Sequence, residues 1–586
     1  VDEINYELVA KGENLQTQHS PIGVFVFEAA KPNAVHCTQN APYITEILSH
    51  AGVPFRPLTN LPEALNDELK ILLTAGDGAL DKATQSALEN WIERGGQWLS
   101  LGGLCGLEEV HGARVVAYGT KTRPMYYPQT NLGEGYLKPS GAHPITGGAP
   151  IPLHFYNGVR FEIQSESAQV LATILDSHGR ETNAPALLEN ECGKGRCVLL
   201  APDSIGAVVR IQQGTTITAD GVPAPDGSGP TTDGVLKCDD GLVLDWHFDR
   251  EEIPGTNGMK GFMQPIADLW RELILRAIFY LCEKAEVAIP VLWLYPRNLP
   301  AMAHLSHDTD ANDLHLGEKM LEVVAQAEIH STWCTILPGY PREFMEKIKA
   351  AGHELSIHYN ALDHPWSEEE FAAQCRELRT LFGETPVSNK NHYTRWEGGT
   401  EFFDWCAREE IWIEQSKGPS KPGEIGFTFG SAQLHFPLAD NGEIHTVLEQ
   451  PLHSQDFIVV SPPELLPPLL AAVEKHHGVL HLLFHPAHIA KDGVADALLS
   501  AVQQAKERGL EWQTARWFND WERARRSVQW KQIEAAAATP GVLMTPLAES
   551  TILVLGKHEQ LQINGEQRTA QTTMRWGFEF SFAMLD

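Results

Sequence analysis

The 586-residue chain has no apolar run of the roughly 20 residues that crosses a bilayer. Its longest candidate, around Leu269 to Leu281, is broken by Arg271, Glu272 and Arg276. It also has no CxxC pair. Its nine cysteines are odd in number and scattered, which argues against a disulfide framework and against a structural zinc finger. Positive charge is scarce: 45 Lys and Arg stand against 76 Asp and Glu, a formal net charge of −31. Such a chain repels nucleic acid and anionic membrane surfaces, so neither is an expected partner, while neutral or cationic ligands remain. Val1-Asp2-Glu3 show no basic region leading into an apolar core, so the sequence assigns no compartment.

What is present is the balance of a soluble globular protein, 43% hydrophobic and 21% charged, and a length that calls for two to four domains. From Pro21 onward, short apolar runs alternate with helical patterns: Gly23 to Phe27, the helix Ala41 to Gly52, Leu69 to Leu73, the turn Ala75-Gly76-Asp77-Gly78, the helix Asp81 to Arg94, and Gln97 to Leu101. That alternation predicts a parallel sheet with crossover helices, closed by Arg196 to Leu200. Residues Gln213 to Asp240, with Pro223 to Pro230 at their centre, read as a long loop or boundary. A helix is expected from Pro265 to Glu283, then a second strand–helix series from Ala301 to about Arg526. After Ala535-Ala536-Ala537-Ala538 the tail alternates with period two and carries a type I′ turn signal at Asn564-Gly565. The expected domains are 1–235, a connecting segment 236–290, 291–527, and a small C-terminal β module 528–586.

Four fragments of the second series carry chemistry. Ala303 to Asn312 is an apolar lead-in ending in Asp308 and Asp310. Where a chain leaves a sheet, carboxylates two apart can point into one cleft and serve as a metal ligand and a general base. Gly352-His353-Glu354-Leu355-Ser356-Ile357-His358-Tyr359 delivers His358 to the same edge. Val387 to Trp396 contains Lys390 and His392, and Val479 to Pro486 ends a buried strand in His485. Oxygen and nitrogen ligands from separate strand ends suit zinc or another divalent transition metal. His304, His307, His315, His330, His476 and His477 are expected to be structural or superficial.

These fragments, spanning about Leu292 to Trp517, resemble the NodB-type polysaccharide deacetylases, carbohydrate esterase family four and its relatives. Ser306-His307-Asp308-Thr309-Asp310 resembles the family's first motif, which implies Asp308 as general base and Asp310 as metal ligand. His358 lies in a match to the second motif and is implied as a metal ligand. Leu483-Phe484-His485 resembles the last motif, whose histidine is the general acid. The usual second histidine of motif two falls on Leu362, so the third ligand is expected at His392, with His364 as the alternative. Lys390 stands where the third motif carries Arg, and it cannot make a bidentate contact with a carboxylate. Known members have a distorted (β/α) barrel of about seven strands. The resemblance implies a hydrolase with a divalent metal, most simply Zn2+, that deacetylates a polysaccharide or oligosaccharide at N- or O-acetyl groups. The alternative is a non-catalytic carbohydrate-binding protein that keeps the barrel. Tyr359, through its backbone N–H, with Lys390 and Trp396, are the expected substrate contacts, and Trp366 and Trp412 are further candidates for stacking on sugar rings. Assembly into a homo-oligomer is left open.

In the first half, Gly102-Gly103-Leu104-Cys105-Gly106 after a strand looks like a nucleophile elbow. Residues about 20–210 resemble the class I glutamine amidotransferase-like fold, a flavodoxin-like sheet. Active members follow a late strand with His-x-Glu. Here the stretch is Leu199-Leu200-Ala201-Pro202-Asp203-Ser204. A thiol without a base is mostly protonated at neutral pH, so this domain is expected to be non-catalytic.

Overall fold

The computed structural model describes residues 6–10, 12–27, 39–76, 78–116, 132–221, 232–421, 423–535 and 539–586. The expected Pro223–Pro230 loop, Asp77 of the predicted turn and Ala536–Ala538 lie outside them. The chain divides into two compact units, each discontinuous in sequence: Val1–Val209 with Leu269–Asn298 and Arg525–Asp586, and Arg210–Asp268 with Leu299–Ala524.

The first unit is built on a nine-stranded mixed sheet. Its parallel part takes the strands Ile22–Val26, Arg56–Pro57, Ile71–Ala75, Gln97–Leu101 and Gly195–Leu200 in the order second, first, third, fourth, fifth. Beyond Gly195–Leu200 four further strands run antiparallel. The sequence reading contained no such extension, because Gln169–Asp176 and Glu181–Cys192 interleave apolar with polar residues and lack the continuous apolar run of a parallel-sheet strand. The helix Lys82–Glu93 forms as expected. Asp81 caps it by accepting the Thr84 N–H at 2.9 Å, and Thr84, Leu88, Trp91 and Ile92 recur at helical spacing to bury one face. Full burial of a residue such as Leu88 is worth about 1.5–3 kcal/mol.

The C-terminal strands belong to this unit as two small sheets. Thr551–Leu555 lies between Pro290–Leu292 and Phe578–Met584, antiparallel to both. Asn564 and Gly565 take φ of +52° and +84° and join Gln560–Ile563 to Glu566–Thr569, as a type I′ turn requires. Gly52 sits at φ +70°, and a Cβ there would come 2.0 Å from the Leu292 carbonyl oxygen. The strand Pro290–Leu292 can approach only because this position has no side chain.

The second unit carries an open, curled parallel sheet of eight consecutive strands, with Glu511–Trp512 pairing beside Met302–Asp308. From one end the order is Leu448–Glu449, Ile413–Glu414, Ser388–Asn391, Glu354–Tyr359, Thr332–Thr335, Met302–Asp308, Val479–Leu483 and Ser454–Gln455. Every pair in it is parallel, so all the carboxyl ends share one edge. Its helices, among them Leu314–Ala327, Glu368–Phe382 and Val494–Glu507, cover the sheet with one apolar core. Among the described residues no helix is long and apolar enough to cross a membrane.

In the first unit, Arg526 grips Glu46 through both terminal nitrogens, with Arg271 a further 3.7 Å away, and all three side chains are buried. Removing one partner of a buried ion pair strands the other charge and costs about 3–5 kcal/mol. Glu46→Ala is therefore expected to lower the urea midpoint of the transition that reports the first unit, and Arg526→Met in the same background is expected to restore part of the loss.

Candidate active site

Met302–Asp308 is buried along its whole length and ends on Asp308. The loop that follows is pinned: Thr309 N–H donates to the Cys334 carbonyl, the Thr309 hydroxyl donates to Asn312 Oδ1 at 2.8 Å, and Asn312 Nδ2 donates to the Ile336 carbonyl at 3.0 Å. Asp313 then caps the helix Leu314–Ala327. In this loop Asp310 takes φ +32°, a conformation that costs energy for a residue with a Cβ. It is held there with its carboxylate turned toward His358.

His358 is fully buried near the end of Glu354–Tyr359. Its Nδ1–H donates to the Lys390 carbonyl on the next strand at 2.8 Å, which turns Nε2 toward the two carboxylates. That Nε2 stands 3.4 Å from Asp310 Oδ1 and 3.8 Å from Asp308 Oδ2. His392 opens the turn after Ser388–Asn391. Its Nδ1 lies 3.3 Å from Asn360 Oδ1, and its Nε2 is 3.8 Å from Asp310 Oδ1. Asp310, His358 and His392 can each offer one ligand atom to a common point.

Two measures test whether a metal fits there. Asp308 Oδ1, Asp310 Oδ1 and His358 Nε2 are buried without a hydrogen-bond partner, although buried polar atoms are rarely left so. Ligand atoms about 2.0–2.1 Å from one tetrahedral zinc lie roughly 3.3 Å apart, close to the 3.4 and 3.8 Å found. A neighbouring group, Asp456, His485 and His488, also clusters, but Asp456 Oδ2 is 2.5 Å from His485 Nδ1 and 3.0 Å from His488 Nδ1. The 2.5 Å contact is a hydrogen bond and too short for two ligands of one ion, so Asp456 holds the His485 ring, with His488 beside it.

Asp456 accepts both the His485 backbone N–H at 2.8 Å and its Nδ1–H, so His485 Nε2 faces Asp308 and Asp310 at 4.0 and 3.8 Å. Burial by itself would lower the His485 pKa, but the Asp456 charge and hydrogen bond, then Asp308 and Asp310, lift it to about 9. Asp456, despite burial, is held well below the usual carboxylate range by His485 and His488. Burial raises Asp310 too, yet His358, His485 and His392 bring it down to about 2. Burial, then the neighbouring His358, lowers His392 to about 4. His485 is thus charged at neutral pH, and His392 is neutral.

Two side chains expected to meet substrate, Lys390 and Trp396, are interior. The Lys390 side chain is fully buried, with Nζ donating to Ser306 Oγ at 2.5 Å and lying 3.8 Å from Asp308 Oδ1. The Ser306 hydroxyl donates in turn to His481 Nε2 at 2.9 Å. Lys390 therefore backs Asp308 and meets no ligand from solvent. Trp396 packs against Trp366, Phe402 and Phe403, and its indole N–H donates to the Gly399 carbonyl. It has no exposed face on which a sugar could stack. The Tyr359 side chain is also buried, with its hydroxyl 3.1 Å from the Pro365 carbonyl. His364 is half exposed and pairs with Glu370 at 3.2 Å, so of the two candidates for third ligand only His392 joins the cluster. His304 and His307 are wholly buried and hydrogen-bonded, as structural histidines are. The sequence reading missed Asp456, which follows a strand of only two residues, Ser454–Gln455. It also missed Tyr393, the residue after His392, which is more than half exposed.

No protein-family model matches the chain. No curated protein matches it either. Among solved structures, a protein described as a polysaccharide deacetylase from Mycobacterium smegmatis is 16% identical, with 42% of this chain and 96% of that one covered and a TM-score of 0.31. An allantoinase is 14% identical over 40% of this chain and 93% of its own, TM-score 0.32. A β-galactosidase from Rahnella sp. R3 is 12% identical over 32% and 30%, TM-score 0.25.

Asp310→Ala is expected to abolish stoichiometric binding of a divalent metal, measured by elemental analysis after zinc loading and gel filtration, while His364→Ala keeps it. The His485–Asp456 pair sets a pH window. A histidine raised from 6.5 to about 9 contributes its stability in full below pH 6.5 and loses it as the pH rises through about 9. Urea midpoints of metal-stripped protein should therefore fall between pH 7 and 9.5, and Asp456→Asn should flatten that slope.

Proposed function

We propose that the second unit is a metal-dependent hydrolase of the NodB-type polysaccharide deacetylase kind, removing acetyl groups from an acetylated glycan. The observation that supports it is the convergence of buried atoms of Asp308, Asp310 and His358 that lack a hydrogen-bond partner with the charged His485 at one sheet edge. A protein that only binds sugar has no use for an ionised carboxylate, a neutral imidazole and an imidazolium in one small space.

In this reading Asp310, His358 and His392 hold a divalent cation, for which zinc suits the donor set, and the ion supplies a Lewis acid for the acyl carbonyl. Asp308, steadied from behind by Lys390, takes a proton from the attacking water. His485 carries its proton on Nε2 toward the scissile bond and gives it to the leaving nitrogen or oxygen, while Asp456 holds the ring and favours its charged form. The buried Ser306–His481 pair keeps Lys390 aimed. Exposed Tyr393, beside His392 and under the Lys237 ammonium at 5.2 Å, offers the ring face that Trp396 does not.

The first unit is proposed to be a non-catalytic relative of the amidotransferase-like fold. Its five parallel strands follow the flavodoxin-like order, and Cys105 takes φ +53° on the turn after Gln97–Leu101, the shape of an elbow. After the strand Gly195–Leu200, however, comes Asp203, buried and raised to about 7, in place of a histidine.

Acetate release from chitin-, peptidoglycan- and exopolysaccharide-type oligomers by zinc-loaded protein tests the reading. Asp308→Asn should keep its metal and lose about 10²–10⁴-fold in kcat, and Cys105→Ala should be as active as wild type. Metal binding without acetate release from any of these substrates would leave a glycan-binding protein as the better account.

A further inference from the structure

The two histidines of the Asp310 cluster are oriented by different means. His358 donates its Nδ1–H to a backbone carbonyl, so its ring follows from the strand register. His392 lies past the end of its strand, in a turn where Tyr393 and Thr394 take φ of +60° and +50°. The backbone of that turn is well fastened. Asn391 N–H donates to Ser416 Oγ at 2.7 Å, Asn391 Nδ2 donates to the Arg395 carbonyl at 3.0 Å, and Arg395 N–H donates to the His392 carbonyl at 3.2 Å. None of these bonds reaches the imidazole. The ring instead meets Asn360, the first residue after the strand Glu354–Tyr359, with Nδ1 3.3 Å from Asn360 Oδ1. Leu362 N–H donates to that same Oδ1 at 3.1 Å. An N–H can only donate, so the atom facing His392 is the amide oxygen, and the ring nitrogen opposite it carries the hydrogen. Asn360 is held in turn by Gln374, a buried residue of the helix Glu368–Phe382. Gln374 Oε1 accepts the Asn360 N–H at 2.9 Å, and Gln374 Nε2 donates to the Asn360 carbonyl at 2.8 Å. Its Nε2 also donates to Glu370 Oε1 at 2.9 Å, the oxygen that faces His364 Nδ1 at 3.2 Å. One helix thus fixes Asn360 and keeps His364 away from the cluster.

We propose that Asn360, held at both of its backbone polar groups by Gln374, is the positioning residue that places the His392 hydrogen on Nδ1 and aims Nε2 at the point shared with Asp310 and His358. The proposal rests on the metal-dependent reading of this site, but it invokes no step of the hydrolysis. A histidine that binds a metal is neutral and carries one ring hydrogen. With that hydrogen directed at Asn360, Nε2 is left to coordinate, and it stands 3.8 Å from Asp310 Oδ1. Without the amide oxygen the ring is free to turn or to carry its hydrogen on Nε2, and either change withdraws the ligand atom. The partner that receives the second nitrogen of a ligating histidine is worth about 10–100-fold in metal affinity. For His358 that partner is main chain, which no substitution removes. For His392 it is a side chain, so the choice of His392 over His364 is written in Asn360 and Gln374.

The test uses the full-length chain, first metal-free and then titrated with Zn2+ alone. Nitrogen NMR of metal-free protein labelled on its histidine rings reads the tautomer at neutral pH, with the His392 signals identified by their loss in His392→Gln. Wild type should show hydrogen on Nδ1 and an unprotonated Nε2. Asn360→Leu should move the signals toward hydrogen on Nε2 and raise the zinc Kd, read by competition with a chromophoric chelator, by about 10–100-fold. Asn360→Asp keeps an oxygen opposite Nδ1 and should retain the tautomer and most of the affinity. Gln374→Leu should lose part of both. If that variant folds poorly, Gln374→Glu, which keeps the acceptor and removes the donor, reads the same support. A wild-type tautomer or an unchanged zinc Kd in Asn360→Leu would overturn the proposal. So would an Asn360→Asp protein as weak as Asn360→Leu, since the side chain would then serve only the fold of its loop. If wild type binds no zinc, the tautomer still decides whether Asn360 directs the ring, and it is the metal-dependent reading that has failed.

Discussion

One residue holds the chemistry of the second unit together from both of its ends. The Lys390 carbonyl accepts the Nδ1–H of His358 and so decides which nitrogen of that ring carries the lone pair. The Lys390 ammonium, with no exposure to water, stands behind Asp308. Backbone and side chain thus fix His358 and Asp308 at once, and both depend on the parallel register that sets His358 opposite Lys390. A slip of that register by one residue would turn His358 away from the cleft and offer Tyr359 in its place.

Around this fixed pair the loops are strained. Asp310, Asn312, Tyr393, Thr394, Asp456 and Ile458 all take positive φ, and all lie in the loops that leave the site strands. Left-handed residues other than glycine cost energy, and here they follow three of the strands whose ends carry Asp308, Lys390 and Asp456's neighbours. Rigid strands set the depth of each side chain, and strained loops set its direction.

Much of this was legible in the sequence because parallel strands in a covered sheet write themselves as short apolar runs, and a polar residue closing such a run stands out. Asp308, His358 and His485 were visible for that reason. Asp456 was not, since a two-residue strand has no periodicity to read. The third ligand was ambiguous because sequence spacing cannot say which loop bends back, and the structure turns His392 inward and His364 to solvent. Trp396 was mistaken for a surface platform because an aromatic residue beside a site motif reads the same whether it faces water or the helix behind it. The antiparallel half of the first sheet and the interleaving of the units were hidden for a related cause: both are set by pairings between distant segments.

That interleaving bears on how the protein comes into being. The chain passes from one unit to the other at Val209/Arg210, Asp268/Leu269, Asn298/Leu299 and Ala524/Arg525. The first unit's small sheets therefore need strands near residue 291 to wait for partners beyond residue 550. On the ribosome, Pro290–Leu292 emerges with its edge open and stays so until the last few dozen residues are made. No fragment ending before those residues contains a complete first unit, so a nascent chain stalled late in synthesis is one that a chaperone, rather than the fold itself, has to protect.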